Sequence, residues 1–234
     1  MNGKLLSAES EKGYTTMILK NAIFDLDGTL IDSMPIWRNY QMDIMEELNG
    51  IVLPPEERKL LVQYPFDELI SAVEENHRVQ IDRHAVSVGC NERMSHRYLE
   101  GSLEVKPYVR EYLAYLKAKN CGVALATATP KALCVPFLRQ KELYGYFDCI
   151  FTTPDDTHIG KRESSAVYDA ALAALGGTKQ NTAVFEDVLV CMQTCKKNGY
   201  YTVAVPDSCQ AATLCEIRAT ADRFITSYKD LMNE

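Results

Sequence analysis

"NAIFDLDGTLIDS", residues 21–33, places a short apolar run directly ahead of two carboxylates, Asp25 and Asp27, with Gly28 behind them. An unbroken apolar run bounded in this way reads as a strand buried on both faces, the mark of a parallel sheet. Paired negative charge at the end of such a strand is costly unless something neutralises it. The rest of the chain repeats the pattern. Strand-like runs are "AIFD" (22–25), "GVALAT" (122–127), "CIFTT" (149–153), "AVFED" (183–187) and "TVAV" (202–205). Amphipathic stretches lie between the later runs. Val109, Tyr112, Leu113 and Leu116 share one helical face; Tyr168, Ala171, Leu172 and Leu175 share another, closed by Gly176 and Gly177. Alternating strands and helices imply a parallel sheet covered on both sides.

One segment breaks the alternation. From Met34 to about Glu104 there is no convincing strand. Trp37, Tyr40, Ile44 and Leu48 form a helical stripe that ends at Asn49-Gly50, and Pro54-Pro55 punctuates after it. Phe66, Leu69, Ile70 and Val73 form a second stripe, and "VGCNERMSHRYLEG" reads as a third helix. The expected architecture is therefore α/β: a Rossmann-like parallel sheet core with a small all-helical cap domain inserted after the first strand. Its divisions are an N-terminal extension (1–18), a core (19–33 and 105–234) and a cap (34–104). The first sixteen residues are polar and lack the apolar middle of a secretory signal. They read as a loose extension, with Met17 an alternative start.

Composition narrows the partners. The chain has 234 residues, a net charge of −7 and no long basic run, which argues against nucleic acid and anionic membranes. No apolar run approaches the ~20 residues that span a bilayer. The eight cysteines show no Cys-x-x-Cys spacing. Cys191 and Cys195 fall with Val188 and Met192 on one helical stripe, so they read as core thiols in a reducing cytosol.

In an open parallel sheet, ligands bind beyond the carboxyl ends of the strands. Those ends carry Asp25 and Asp27, Thr127, and Glu186 with Asp187, while Lys161 and Arg162 precede a helix. Carboxylates converging on one pocket repel unless their pKa values rise or a hard divalent cation sits among them. Magnesium suits such a site because it takes few protein oxygens. Thr129, ahead of Pro130, reads as a helix N-cap. His77, His84, His96 and His158 lack ligand spacing.

These motifs resemble those of the haloacid dehalogenase superfamily, in the branch that includes β-phosphoglucomutase and small-metabolite phosphatases. "DLDGTLIDS" resembles the first signature, "VALATAT" the second, a basic residue before a helix the third, and "VFED" the fourth. The resemblance implies a role for each position. Asp25 is the nucleophile that forms an aspartyl phosphate, and Asp27 is the general acid and then base. Asp25, the backbone carbonyl of Asp27, and Asp187 hold magnesium, with Glu186 acting through water. Thr127 and a cation, Lys161 or Arg162, bind the phosphoryl group, with Lys161 preferred for its compact charge.

The resemblance also implies that the cap selects the leaving group. The candidate residues are Gln63, Tyr64 and Phe66 in "LVQYPFDEL", and the hinge around Met34 to Arg38. The matching loop of a β-phosphoglucomutase-like enzyme grips a distal phosphate with arginine; "VQYPFDE" has no basic residue. The expected enzyme is thus a magnesium-dependent cytoplasmic phosphatase, with a monomer the simplest state. It would act on a small phosphorylated metabolite with an uncharged leaving group. The rival readings are a phosphomutase and a catalytically silent phosphate-binding protein. Dehalogenation is disfavoured by the presence of Asp27. Phosphonate cleavage is disfavoured because Lys59 is the sole cap lysine.

Overall fold

The computed structural model describes residues 4–8 and 15–232. Its centre is a six-stranded, wholly parallel sheet. The strands are β3 (Asn21–Phe24), β4 (Gly122–Thr127), β5 (Cys149–Thr152), β6 (Thr182–Glu186), β7 (Tyr201–Ala204) and β8 (Arg223–Phe224), in the order β5-β4-β3-β6-β7-β8. The "NAIF" strand lies between β4 and β6, and all four of its residues are buried.

Period-two alternation distributes these strands between two cores. Ala22, Phe24, Val123, Leu125, Ala183 and Phe185 enter one apolar cluster, where Phe24 stacks on Phe185 at 4.3 Å between centroids. Ile23, Ala124, Ala126 and Val184 enter a second cluster on the opposite face. The first face is covered by α5 (Val109–Ala118), through Val109, Tyr112, Leu113 and Leu116, the stripe expected from its spacing. The second is covered by α7 (Ala166–Ala174) through Val167, Tyr168, Ala171 and Leu172. Each fully buried valine or leucine among these contributes roughly 1.5–3 kcal/mol.

Helices α1 (Met34–Asn49), α2 (Pro55–Leu61), α3 (Phe66–His77) and α4 (Arg83–Leu99) follow β3 and surround their own cluster, which includes Met42, Met45, Leu69, Ile70, Val73 and Val86. Two details differ from the sequence reading. Pro54-Pro55 opens a short helix, α2, that the sequence reading did not separate, because proline is tolerated in the first turn of a helix. The buried face of α1 runs through Arg38, Gln41, Met42, Ile44 and Met45, which leaves Leu48 54% exposed. Helix α1 closes on Gly50 at φ 62°, a left-handed terminus that suits glycine. Helix α4 serves two cores. Val86 and Cys90 lie in the cap cluster, while Met94 and Tyr98 lie in the sheet cluster, where Tyr98 meets Phe137 edge-on at 5.5 Å.

The segment read as a loose extension contains two strands, β1 (Lys4–Ala8) and β2 (Thr15–Leu19), paired antiparallel. Helices α6 (Lys131–Gln140), α8 (Leu189–Lys197) and α9 (Leu214–Thr220) complete the core, with Pro136 inside α6. Cys191, Met192 and Cys195 form the buried face of α8, and all eight cysteines are free. No helix among the described residues is long and apolar enough to cross a membrane.

Candidate active site

The carboxyl ends of β3, β4 and β6 bring the sequence-selected residues together. Asp25, Glu186 and Asp187 are all buried, and each offers a carboxylate oxygen within 4.8 Å of the others. Lys161 Nζ lies 2.6 Å from Asp25 Oδ1 and 2.7 Å from Glu186 Oε1. Tyr168 donates its hydroxyl hydrogen to that same Glu186 oxygen at 2.6 Å. Glu186 Oε1 is thereby committed to the lysine and the tyrosine, while its Oε2 accepts, among the described residues, only from the Val188 amide at 3.3 Å. On Asp187, Oδ1 accepts from Thr29 at 3.1 Å and Oδ2 from Gln210 Nε2 at 2.6 Å.

Burial governs the electrostatics. It pushes the Asp25 carboxyl up to about 7, with Lys161 pulling against it and the charges of Glu186 and Asp27 adding to it. Burial, followed by the neighbouring charges of Glu186 and Asp25, lifts Asp187 well above the usual carboxylate range. Lys161 loses solvation by burial, yet Asp25 and Glu186 outweigh that loss and hold its ammonium charged. One lysine faces three carboxyl groups, two of which are held above their usual range by burial and like charge, and this donor set fits a hard divalent cation. The turn after β3 is built around this cluster. Gly28 sits at φ 75°, and a Cβ there would meet Asp187 Oδ2 at 2.2 Å, so the position excludes a side chain on both counts.

Asp27 is held by four donors. Ser33 Oγ and Trp37 Nε1 reach its Oδ1 at 2.7 and 3.2 Å, Tyr98 donates to the same oxygen, and Thr129 Oγ1 reaches Oδ2 at 2.7 Å. Trp37 and Tyr98 come from the cap, so the second aspartate is oriented from both sides of the domain junction. Thr129 does not cap α6, as its position before Pro130 suggested. That helix starts at Lys131, without a side-chain cap, and the threonine hydroxyl turns to Asp27 instead. The Thr129 amide donates to Thr127 Oγ1 at 3.1 Å, fixing the buried second-motif hydroxyl.

These groups open into a cavity of about 640 Å³ between core and cap. Asp25, Asp27, Thr127 and Lys161 form its floor, and Trp37, Arg38 and Tyr98 are among its cap-side walls. Arg162 also lines it but is 54% exposed in its side chain, and its nearest carboxylate is Asp67 at 3.9 Å. Gln63 and Phe66 line an adjoining cavity of about 690 Å³. Tyr64 packs on the cap's own apolar cluster and lines neither cavity. Sequence reasoning missed the roles of Tyr98 and Gln210, which carry no local signal, and of Ser33, which stands in the quoted first motif.

Comparison with known proteins agrees with this geometry. Residues 22–205 match the family model described as haloacid dehalogenase-like hydrolase. The chain is 28% identical over 193 residues to a phosphorylated carbohydrates phosphatase of Thermotoga maritima, covering 77% of this chain and 82% of that one. It is 29% identical over 196 residues to a phosphoglycolate phosphatase of Chromobacterium violaceum, covering 80% and 85%. Among solved structures, a β-phosphoglucomutase from Clostridium difficile superposes with a TM-score of 0.65 at 16% identity, covering 91% of this chain and 93% of that one. The family match takes in most of the chain, from the strand that carries Asp25 to the end of β7. By that extent and by its capped parallel sheet, the chain belongs to the haloacid dehalogenase-like hydrolases.

Proposed function

We propose that this protein is a magnesium-dependent phosphatase that hydrolyses a small phosphorylated metabolite through an aspartyl-phosphate intermediate. The observation that carries the reading is Lys161 bridging Asp25 and Glu186 beside Asp187, at the floor of a cap-covered cavity. The phosphatases among its relatives support the same reaction class.

In this scheme the Asp25 carboxylate attacks phosphorus in line, and the bond from phosphorus to the leaving oxygen breaks. Asp27 gives the departing oxygen a proton, then takes one from the water that attacks phosphorus in the aspartyl phosphate, which breaks the bond to Asp25 and releases inorganic phosphate with the carboxylate restored. Trp37, Tyr98, Ser33 and Thr129 position Asp27 for both transfers. Thr127 and Lys161 face the phosphoryl oxygens, and Glu186 holds Lys161 in place. Asp25, the carbonyl of Asp27, and Asp187 would hold magnesium, which supplies positive charge against the phosphoryl group. The test is a phosphate-release screen over sugar phosphates, nucleotides and organic acid phosphates with magnesium. Absence of release from every monoester would sink the proposal.

Chelation is expected to abolish turnover, magnesium to restore it, and calcium to inhibit. Calcium prefers about six to eight oxygens at longer distance, a geometry that can engage both oxygens of Asp25 and spoil its in-line approach. Full activity after exhaustive chelation would refute the metal requirement.

Hydrolysis is favoured over a mutase reaction by the cap loop. Gln63 and Phe66 face the adjoining cavity and no basic residue stands in the loop. Arg58, a few residues upstream, is held by Asp43 and by Glu46 at 2.6 Å, and Lys59 is exposed. With β-glucose 1-phosphate and a trace of the 1,6-bisphosphate, inorganic phosphate is the expected product. Glucose 6-phosphate forming faster than phosphate would overturn the assignment.

A further inference from the structure

Arg38 stands in the fifth position of α1 and is only 9% exposed. Its Nη1 donates to Gln41 Oε1 at 3.0 Å, while its buried Nε has no hydrogen-bond partner. Among the described residues no carboxylate forms an ion pair with it. Cys209, Asp187 and Asp207 act on it electrostatically from a distance and Arg162 acts against them, and both aspartates have other partners. Asp187 accepts from Thr29 and Gln210, and Asp207 pairs with Lys106 at 3.3 Å. A guanidinium stays charged under all ordinary conditions, and removing it from water without a counter-charge is expensive. The cap bears that cost at a defined place. Arg38 is on the wall of the cavity whose floor is Asp25 and Lys161, and equally on the wall of the adjoining cavity formed by Gln63 and Phe66.

We infer that Arg38 is a specificity-determining residue that takes a second anionic group, a carboxylate or a second phosphate, on the leaving-group side of the substrate. This deepens the phosphatase reading and rests on it. The site then has two poles. Lys161, Thr127 and the acidic cluster engage the transferred phosphoryl group, and Arg38 engages an anion at the far end of the same molecule. The planar fork of arginine suits both carboxylate and phosphate oxygens. The absence of a basic residue in the 61–69 loop therefore speaks against a mutase-type grip by that loop but not against an anionic leaving group, because Arg38 supplies a cation from α1.

The test uses the full chain with magnesium and two matched substrate pairs. 3-Phosphoglycerate and glycerol 3-phosphate differ only in a carboxylate against a hydroxymethyl group; fructose 1,6-bisphosphate and fructose 6-phosphate differ by the second phosphate. The wild type should favour the more anionic member of at least one pair in kcat/KM. In Arg38→Gln that ratio should fall roughly 10- to 100-fold, chiefly through KM, with partial recovery in Arg38→Lys. Taking a ratio within one preparation cancels any loss of folded protein, and the lysine variant serves if the glutamine variant does not fold. The pair that responds identifies the anion. No preference in the wild type, or a ratio unmoved by substitution, overturns the inference while phosphate release leaves the phosphatase reading intact. No release from any monoester overturns both.

Discussion

Replacing Asp25 by asparagine should lower phosphate release by roughly 10⁴-fold or more, the scale on which removal of a nucleophile acts. The amide keeps the shape of the side chain and can still accept from Lys161, but it can neither attack phosphorus nor supply an anionic metal ligand. Stability should move the other way. Asp25 is buried beside Glu186 and Asp187, and burial and like charge both raise its pKa, so the wild-type carboxylate is strained in the metal-free protein. The variant should melt at the same temperature or higher when magnesium is withheld. Appreciable turnover on the best substrate would show that the aspartyl-phosphate mechanism is wrong. A drop in melting temperature would show that the Lys161 ion pair outweighs the repulsion.

Substitution at the neighbouring cation should separate two adjacent residues. Lys161→Ala is expected to cut turnover roughly 100- to 1,000-fold, the usual consequence of removing one donor to a transition-state oxygen. It also strips from Asp25 and Glu186 the one ion-pair partner they have among the described residues, so the pH dependence of activity should shift along with the rate. Arg162→Ala should cost less than about threefold, since its exposed side chain has only a distant, solvated carboxylate partner. Comparable small losses at both positions would place the phosphoryl-binding cation elsewhere.

The sheet was legible because its strands are apolar on both faces and end in polar residues. "GVALAT" became β4 from Gly122 to Thr127 without adjustment. Strand β8 was missed because two residues, Arg223 and Phe224, carry no period. In the site, Asp25, Asp187, Glu186 and Lys161 could be assembled on strand ends and loop positions alone. What stayed hidden was contact across the domain junction. Tyr98 lies 71 residues from Asp27, on a helix whose sequence points only to its own packing. Thr129 was misread because Thr-Pro ahead of a helix is a good local cap, and the Asp27 carboxylate 102 residues away offered its hydroxyl a stronger acceptor. Arg38 was placed within a hinge, but its burial without a counter-ion is a property of packing that no single-sequence pattern reveals.

Helix α4 anchors in two apolar clusters at once, Cys90 in one and Met94 in the other. For protein engineering, the seam between the two modules therefore runs through the middle of a helix instead of a connecting loop. A chimera spliced after α4 would import a foreign residue at position 98 and take the Tyr98 donor from Asp27. A chimera spliced between Cys90 and Met94 keeps the buried α4 residues of each cluster with their own module, while Trp37, the other cap donor to Asp27, leaves with the exchanged segment. It exchanges the selective walls around Arg38 and Phe66 while the resident tyrosine stays with the reacting aspartates.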